Sequence, residues 1–223
     1  MRKFLLLLII SIICINGFGQ DFSNKGKDFW LCFPSHCPNS NTNLPRLSIF
    51  ITSDQASSGT ITMPNGAYAA AFNLNAGNNF YQEFIVNPSG APGQVYIRAA
   101  ESNSVINKSI HVKTDVGQPA VVVYTEEWAG ARTAATLVLP VNVLGKKYYA
   151  VSATQAKPSG SLNTGGINYV SKSHFQIIAT QDNTNVQITP RHNGVLQPPF
   201  TVLLPEGNQA QPVSRGRRWI QVL

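Results

Sequence analysis

The chain has 223 residues, of which only 12% are charged, and its formal net charge is +7. Asn, Ser, Thr, Gln and Gly supply most of its polar character. Two of the positive charges sit at Arg2 and Lys3, and three more at Arg215, Arg217 and Arg218. The body between is close to neutral, so no stripe of cations able to track phosphates is present, and nucleic-acid binding is excluded as an expectation.

Arg2 and Lys3 precede an apolar run from Phe4 to Ile15 broken only by Ser11, and small residues return at Asn16–Gln20. This is the pattern of a cleaved secretory signal over residues 1–20, too short for a membrane span. The mature chain is therefore expected to start near Asp21, secreted or at the cell surface. It contains no later run able to anchor it. With Cys14 removed, Cys32 and Cys37 remain, an even pair suited to a disulfide in an oxidising compartment.

Strand signals follow in order. They are Leu47–Thr52, Gly59–Pro64, Phe72–Leu74, Tyr81–Val86, Val95–Arg98, Ser109–Lys113, Ala120–Tyr124, Thr136–Pro140 and Tyr148–Ser152. After a polar stretch come Phe175–Thr180, Asn185–Thr189 and Phe200–Leu204. Each is short, rich in β-branched or aromatic residues and bounded by turn formers, with no sustained helical stripe. The expected fold is an all-β antiparallel sandwich, with four-stranded propeller-like units as the alternative. Leu47–Gly77 and Phe175–Gly207 also echo one another: strand, polar turn, strand ending in Pro, Asn-Gly, then a strand running into Gly. The expected organisation is a first β module over 21–152, a polar linker over 153–174, and the start of a second, truncated module over 175–223. Trp219–Leu223 reads as a strand cut off, so the chain is expected to be a fragment, or else the strands of the second module are expected to pair into the first.

Chemistry-bearing constellations are sparse. Cys32, His36 and Cys37 fall short of a four-ligand zinc site, and His111, His174 and His192 are scattered, so no metal or cofactor is expected. Asp182–Asn185 reads as a hairpin turn. Glu126 and Glu127 read as a loop after a strand, and no nucleophile elbow exists. No catalytic residue is assigned. Trp128, in Thr125–Gly130, is expected in the same loop, where binding residues tend to lie. Trp128, Glu126 and Glu127 are thus the candidate binding residues, with Tyr68, Tyr81, Tyr169 and Trp219 as further contact aromatics and Trp30 assigned to the core.

Gly26–Trp30, Asn107–Asp115, Gln118–Tyr124, Leu137–Pro140, Leu144–Tyr149 and Ala179–Val186 stand in an order that resembles the IgGFc-binding protein N-terminal domain family of exported Bacteroidetes-type proteins. The resemblance implies a non-catalytic surface or adhesion module. Its partners would be an extracellular glycoprotein or glycan and C-terminal domains missing here, among them a sorting domain. Cys32/Cys37 and Arg215–Arg218 depart from the family pattern. The rival readings are a secreted hydrolase with a loop-built site using Glu126, Glu127 or His36, and a structural building block of a surface layer.

Overall fold

The computed structural model describes residues 23–34, 45–85, 95, 97, 101, 103–129, 132–152, 173–192, 195–210, 213–214 and 218–222. The expected signal segment, His36, Cys37, Tyr169, Arg215, Arg217 and residues 153–172 of the expected linker lie outside them, as does the side chain of Trp219.

The chain forms strands β1 (Asp28–Leu31), β2 (Arg46–Thr52), β3 (Ser57–Thr62), β4 (Ala69–Leu74), β5 (Asn79–Ile85), β6 (Val105–Ile106), β7 (Ile110–Thr114), β8 (Val122–Ala129) and β9 (Arg132–Val138). It continues with β10 (Tyr148–Ser152), β11 (Ser173–His174), β12 (Ile177–Ile178), β13 (Thr184–His192), β14 (Val195–Leu196) and β15 (Phe200–Leu204). The last three are β16 (Gln209–Ala210), β17 (Val213–Ser214) and β18 (Arg218–Val222). Every pairing is antiparallel.

Two four-stranded sheets, β1-β7-β3-β4 and β5-β2-β8-β9, make the first unit. Alternate residues of each point inward, because successive side chains on a strand leave opposite faces. Phe29, Ile61, Phe72 and Val112 from one sheet meet Leu47, Ile49, Ile51 and Val123 from the other in one buried cluster. This is the expected sandwich. Phe72 lies where a Cβ on Gly59 would fall, 2.6 Å from the ring, so β3 keeps a glycine to let the ring cross it.

The sequence echo is a structural repeat. The sheet order β1-β7-β3-β4 recurs as β10-β18-β13-β15, and the β2–β5 pair recurs as β12–β16. The turns match as well. Gly77 N–H donates to Ser53 O and Gly207 N–H to Ala179 O, both at 2.9 Å. Both glycines sit in the left-handed region, at φ 75° and 70°, where a side chain is strained. Even the entry repeats, Gly26-Lys27-Asp28-Phe29-Trp30 against Gly145-Lys146-Lys147-Tyr148-Tyr149. β10 therefore lies in the sheet of the second unit, on the far side of the boundary read from the sequence at 152. The final apolar run forms β18, in the middle of that sheet between β10 and β13.

Four sequence expectations differ from the structure. Val95 and Ile97 are buried without belonging to a strand. In Phe175–Thr180 only Ile177–Ile178 is a strand. β1 was not anticipated; its Trp30 is half-buried and stacks on His111 with ring centroids 4.1 Å apart, rather than sitting in the core. Asp182–Asn185 contains a turn, with Asn183 at φ 55° and Asp182 Oδ1 accepting from Glu206 N–H, but not the expected hairpin, because the flanking β12 and β13 lie in different sheets.

Candidate functional site: the two faces of β8

The candidate binding residues do not lie in a loop. Thr125–Ala129 continue β8, paired on one side with β2 (Arg46↔Trp128, Ser48↔Glu126) and on the other with β9 (Glu127↔Ala134). Charged residues are poor strand formers, and they made this run read as a loop. Flanking strands supply the hydrogen bonds that override that preference. The strand pleat then separates the three residues. Trp128 and Glu126 share the outer face with Tyr124, while Glu127 points the other way with Thr125 and Val123.

The outer face of β5-β2-β8-β9 is a platform of aromatic rings and charges. One row across the sheet reads Tyr81, Phe50, Tyr124, Leu137, and the next reads Glu83, Ser48, Glu126, Ala135. Tyr81, Tyr124 and Trp128 are 50%, 40% and 41% exposed, so these rings present surface to solvent instead of folding onto the core. Their positions are fixed by contacts within the face. The rings of Phe50 and Tyr81 lie 5.0 Å apart. The Tyr81 hydroxyl donates to Glu83 Oε2 at 3.0 Å, and Ser48 Oγ is 3.3 Å from the same hydroxyl. Arg46 bridges the rows, with its guanidinium carbon 5.5 Å from the Trp128 ring centre and its Nε 3.3 Å from Glu83 Oε1. A guanidinium over an indole at an exposed site is worth about 0.5–1 kcal/mol. That is enough to bias the ring orientation before any ligand arrives. Sequence reasoning found Trp128, Glu126 and Tyr81 but missed Arg46, Phe50, Glu83 and Tyr124. The signal that would have found them is the period-two alternation through 46–52, 79–85 and 122–129. Tyr68 is not part of this face; it packs half-buried on the core, edge-on to Phe84.

The inner face is different. Glu127 is buried and lines a cavity of about 360 Å³. The cavity is walled by the end of β1 and its continuation (Trp30–Pro34), by Thr125 and three residues of β9, and by Phe175, Gln176 and Ile178 of the second unit. Burial raises the Glu127 carboxyl from 4.5 to about 8. Burial, then the Glu127 charge, also pushes the Cys32 thiol up, so Cys32 stays protonated and donates to Gln176 Oε1 at 2.6 Å. A thiol held in that form is a poor nucleophile and a poor metal ligand. Cys37, its expected disulfide partner, lies outside the described residues. His111, on β7 beside β1, is held by Asp28 Oδ1 at 2.8 Å. Of the neighbouring carboxylates Glu126 and Glu127, only Glu127 reaches the cavity, and the pair of acids on one site that glycoside hydrolysis uses is not formed by these two residues.

The first unit is a sandwich with a solvent-facing aromatic sheet. Residues 134–215 match the sequence model of the family described as IgGFc binding protein, a family of binding domains. The resemblance read from the ordered segments is upheld over that stretch, which runs from β9 into the second unit. No curated protein matches the chain. No helix among the described residues is long and apolar enough to cross a membrane.

Proposed function

We propose that this protein is an exported, non-catalytic surface module of adhesion type that recognises the glycan of a glycoprotein through the outer face of β5-β2-β8-β9. The observation that carries the reading is the coexistence, on one sheet face, of exposed rings and hydrogen-bonding groups. Trp128, Tyr124 and Tyr81 offer flat apolar surface to the C–H faces of a sugar. Glu83 and Glu126 accept from its hydroxyls, and charge-assisted hydrogen bonds of that kind are the stronger ones. Aromatic residues bring large contact area at small entropic cost, and a pre-ordered face keeps that cost low. The signal-like N-terminus supports export, and the family match supports binding over catalysis.

The test is a glycan and glycoprotein array, mucin and immunoglobulin included, probed with the intact protein and with Trp128→Ala. Losing an exposed ring that stacks on ligand is expected to weaken binding about 5- to 30-fold, from about 1–2 kcal/mol, with the melting temperature lowered by no more than a few degrees through loss of the Arg46 contact. Enzymatic deglycosylation of the captured glycoprotein should abolish capture. Absence of binding across the array, or capture that survives deglycosylation, overturns the reading.

A further inference from the structure

A buried carboxyl oxygen without a partner needs an explanation, and Glu127 is one. The residue is only 7% exposed, and no hydrogen bond reaches its Oε1 among the described residues. The atom belongs to a side chain lining the cavity behind β8, whose apolar wall includes Leu31, Phe33, Val138, Phe175 and Ile178. The described lining residues contain no Lys, Arg or His, and Cys32 and Glu127 are the titratable side chains among them. Among the described residues, the cleft thus holds an acid against an apolar wall with no cation lining it.

We propose that this cleft is a second binding site, taking a primary alkylammonium group, either a free amine or the side chain of a lysine, with Glu127 as its counter-ion. The ammonium brings the hydrogen-bond donors that Oε1 lacks and the charge the lining lacks. Its aliphatic stem matches the apolar wall, as lysine stems do when they lie along apolar surface. The volume of about 360 Å³ admits a chain of four to six carbons. Because Glu127 holds its proton up to about pH 8 when the cleft is empty, binding of R–NH3+ at pH 7 converts the acid to a carboxylate. The amine keeps its three protons, and the carboxyl proton leaves to solvent. One proton is released per site, and affinity rises with pH up to the carboxyl pKa. The site is on the opposite side of β8 from the proposed glycan face and does not depend on it.

The full chain is titrated calorimetrically with butylammonium, butyramide and Nα-acetyl-lysine amide at pH 6, 7 and 8, in two buffers of different ionisation enthalpy. Saturable binding of butylammonium is expected, with release of close to one proton at pH 6 and affinity rising several-fold per unit towards pH 8. Equal or tighter binding of the acetylated lysine amide assigns the site to a lysine of a protein partner, and binding of butylammonium alone assigns it to a free amine. Glu127→Gln should lose the ammonium preference, and Ala134→Phe, a substitution at an exposed lining position, should block entry while leaving the fold intact. The proposal is overturned if butylammonium does not bind, if butyramide binds as well, if affinity is flat between pH 6 and 8, or if Glu127→Gln binds unchanged.

Discussion

The two copies of the repeated unit follow one path and reach different ends. In the first, β2 is flanked by seven-residue pairings with both β5 and β8, and the sandwich closes over a large cluster that includes Phe29, Phe72, Ile49 and Val123. In the second, the equivalent β12 has two residues paired with β16, and the buried cluster among the described residues consists of Ala179, Val186, Ile188 and Leu204. Phe200, Leu203, Val195 and Tyr149 of the second unit remain exposed. The turns and the strand order are therefore enough to set the path, while stability depends on whether a second sheet covers the first. A sheet needs its apolar face buried to be stable on its own, and β8 and β9 contribute to that burial in the first copy.

The sharpest way to break this contrast is to cut one core and then the other. Phe72→Ala should cost about 4 kcal/mol of stability in denaturant unfolding, within the range for truncating a buried ring. Leu204→Ala, in the smaller cluster, should cost about 2 kcal/mol, with hydrogen exchange speeding up in β13 and β15 and not in β2 or β8. Equal costs with equal loss of protection would show that the two units melt as one.

The matched glycines give a finer comparison. Gly77 and Gly207 have the same backbone conformation, but a Cβ at Gly77 meets open space, whereas at Gly207 it would lie 2.6 Å from Pro64 Cγ and 2.8 Å from Trp30 Cζ3. Ser109 Oγ also donates to the Gly207 carbonyl, so this turn is where the second copy seats on the first. Gly77→Ala should cost about 1 kcal/mol, the strain of a side chain in the left-handed region. Gly207→Ala should cost about 3 kcal/mol, since overpacking adds to that strain. Thermal unfolding of the two variants measures the difference.

A pH-dependent effect concerns Glu127, which is buried in the first unit. Its folded pKa of about 8 lies above its ordinary value of 4.5, so the folded state holds the proton across that interval and the unfolded state does not. Stability should be greatest below about pH 4.5 as far as this group is concerned, fall by about 1.4 kcal/mol per pH unit as the pH rises to 8, and level off beyond. Glu127→Gln should remove that slope while leaving unfolding of the second unit unaffected. A denaturant series between pH 5 and 9 reads both.

Much of the architecture was legible in the amino-acid sequence because β-branched runs and turn residues report strands directly. β2, β3, β7, β13 and β15 stand close to where the residues placed them, and the echo between Leu47–Gly77 and Phe175–Gly207 is the repeat. Pairings between distant segments were not legible. Nothing local shows that Tyr148–Ser152 joins Arg218–Val222, or that the acidic run Thr125–Trp128 is held extended by β2 and β9. The site suffered from the same gap. Trp128 and Glu126 were found as residue types in a loop, but the face they share with Arg46, Glu83 and Tyr81 exists only once three strands lie side by side. Glu127 was grouped with them by adjacency, and adjacency on a strand means opposite directions.

That parity has an evolutionary consequence. Inserting or deleting one residue ahead of Tyr124 while the strand kept its neighbours would turn the ribbon over, delivering an indole to the cleft and an acid to the surface. A change of one residue in this segment keeps both faces only where a β-bulge takes it up. Drift in the two faces of β8 is therefore easiest by replacing side chains, one face at a time, and not by sliding the strand that carries them both.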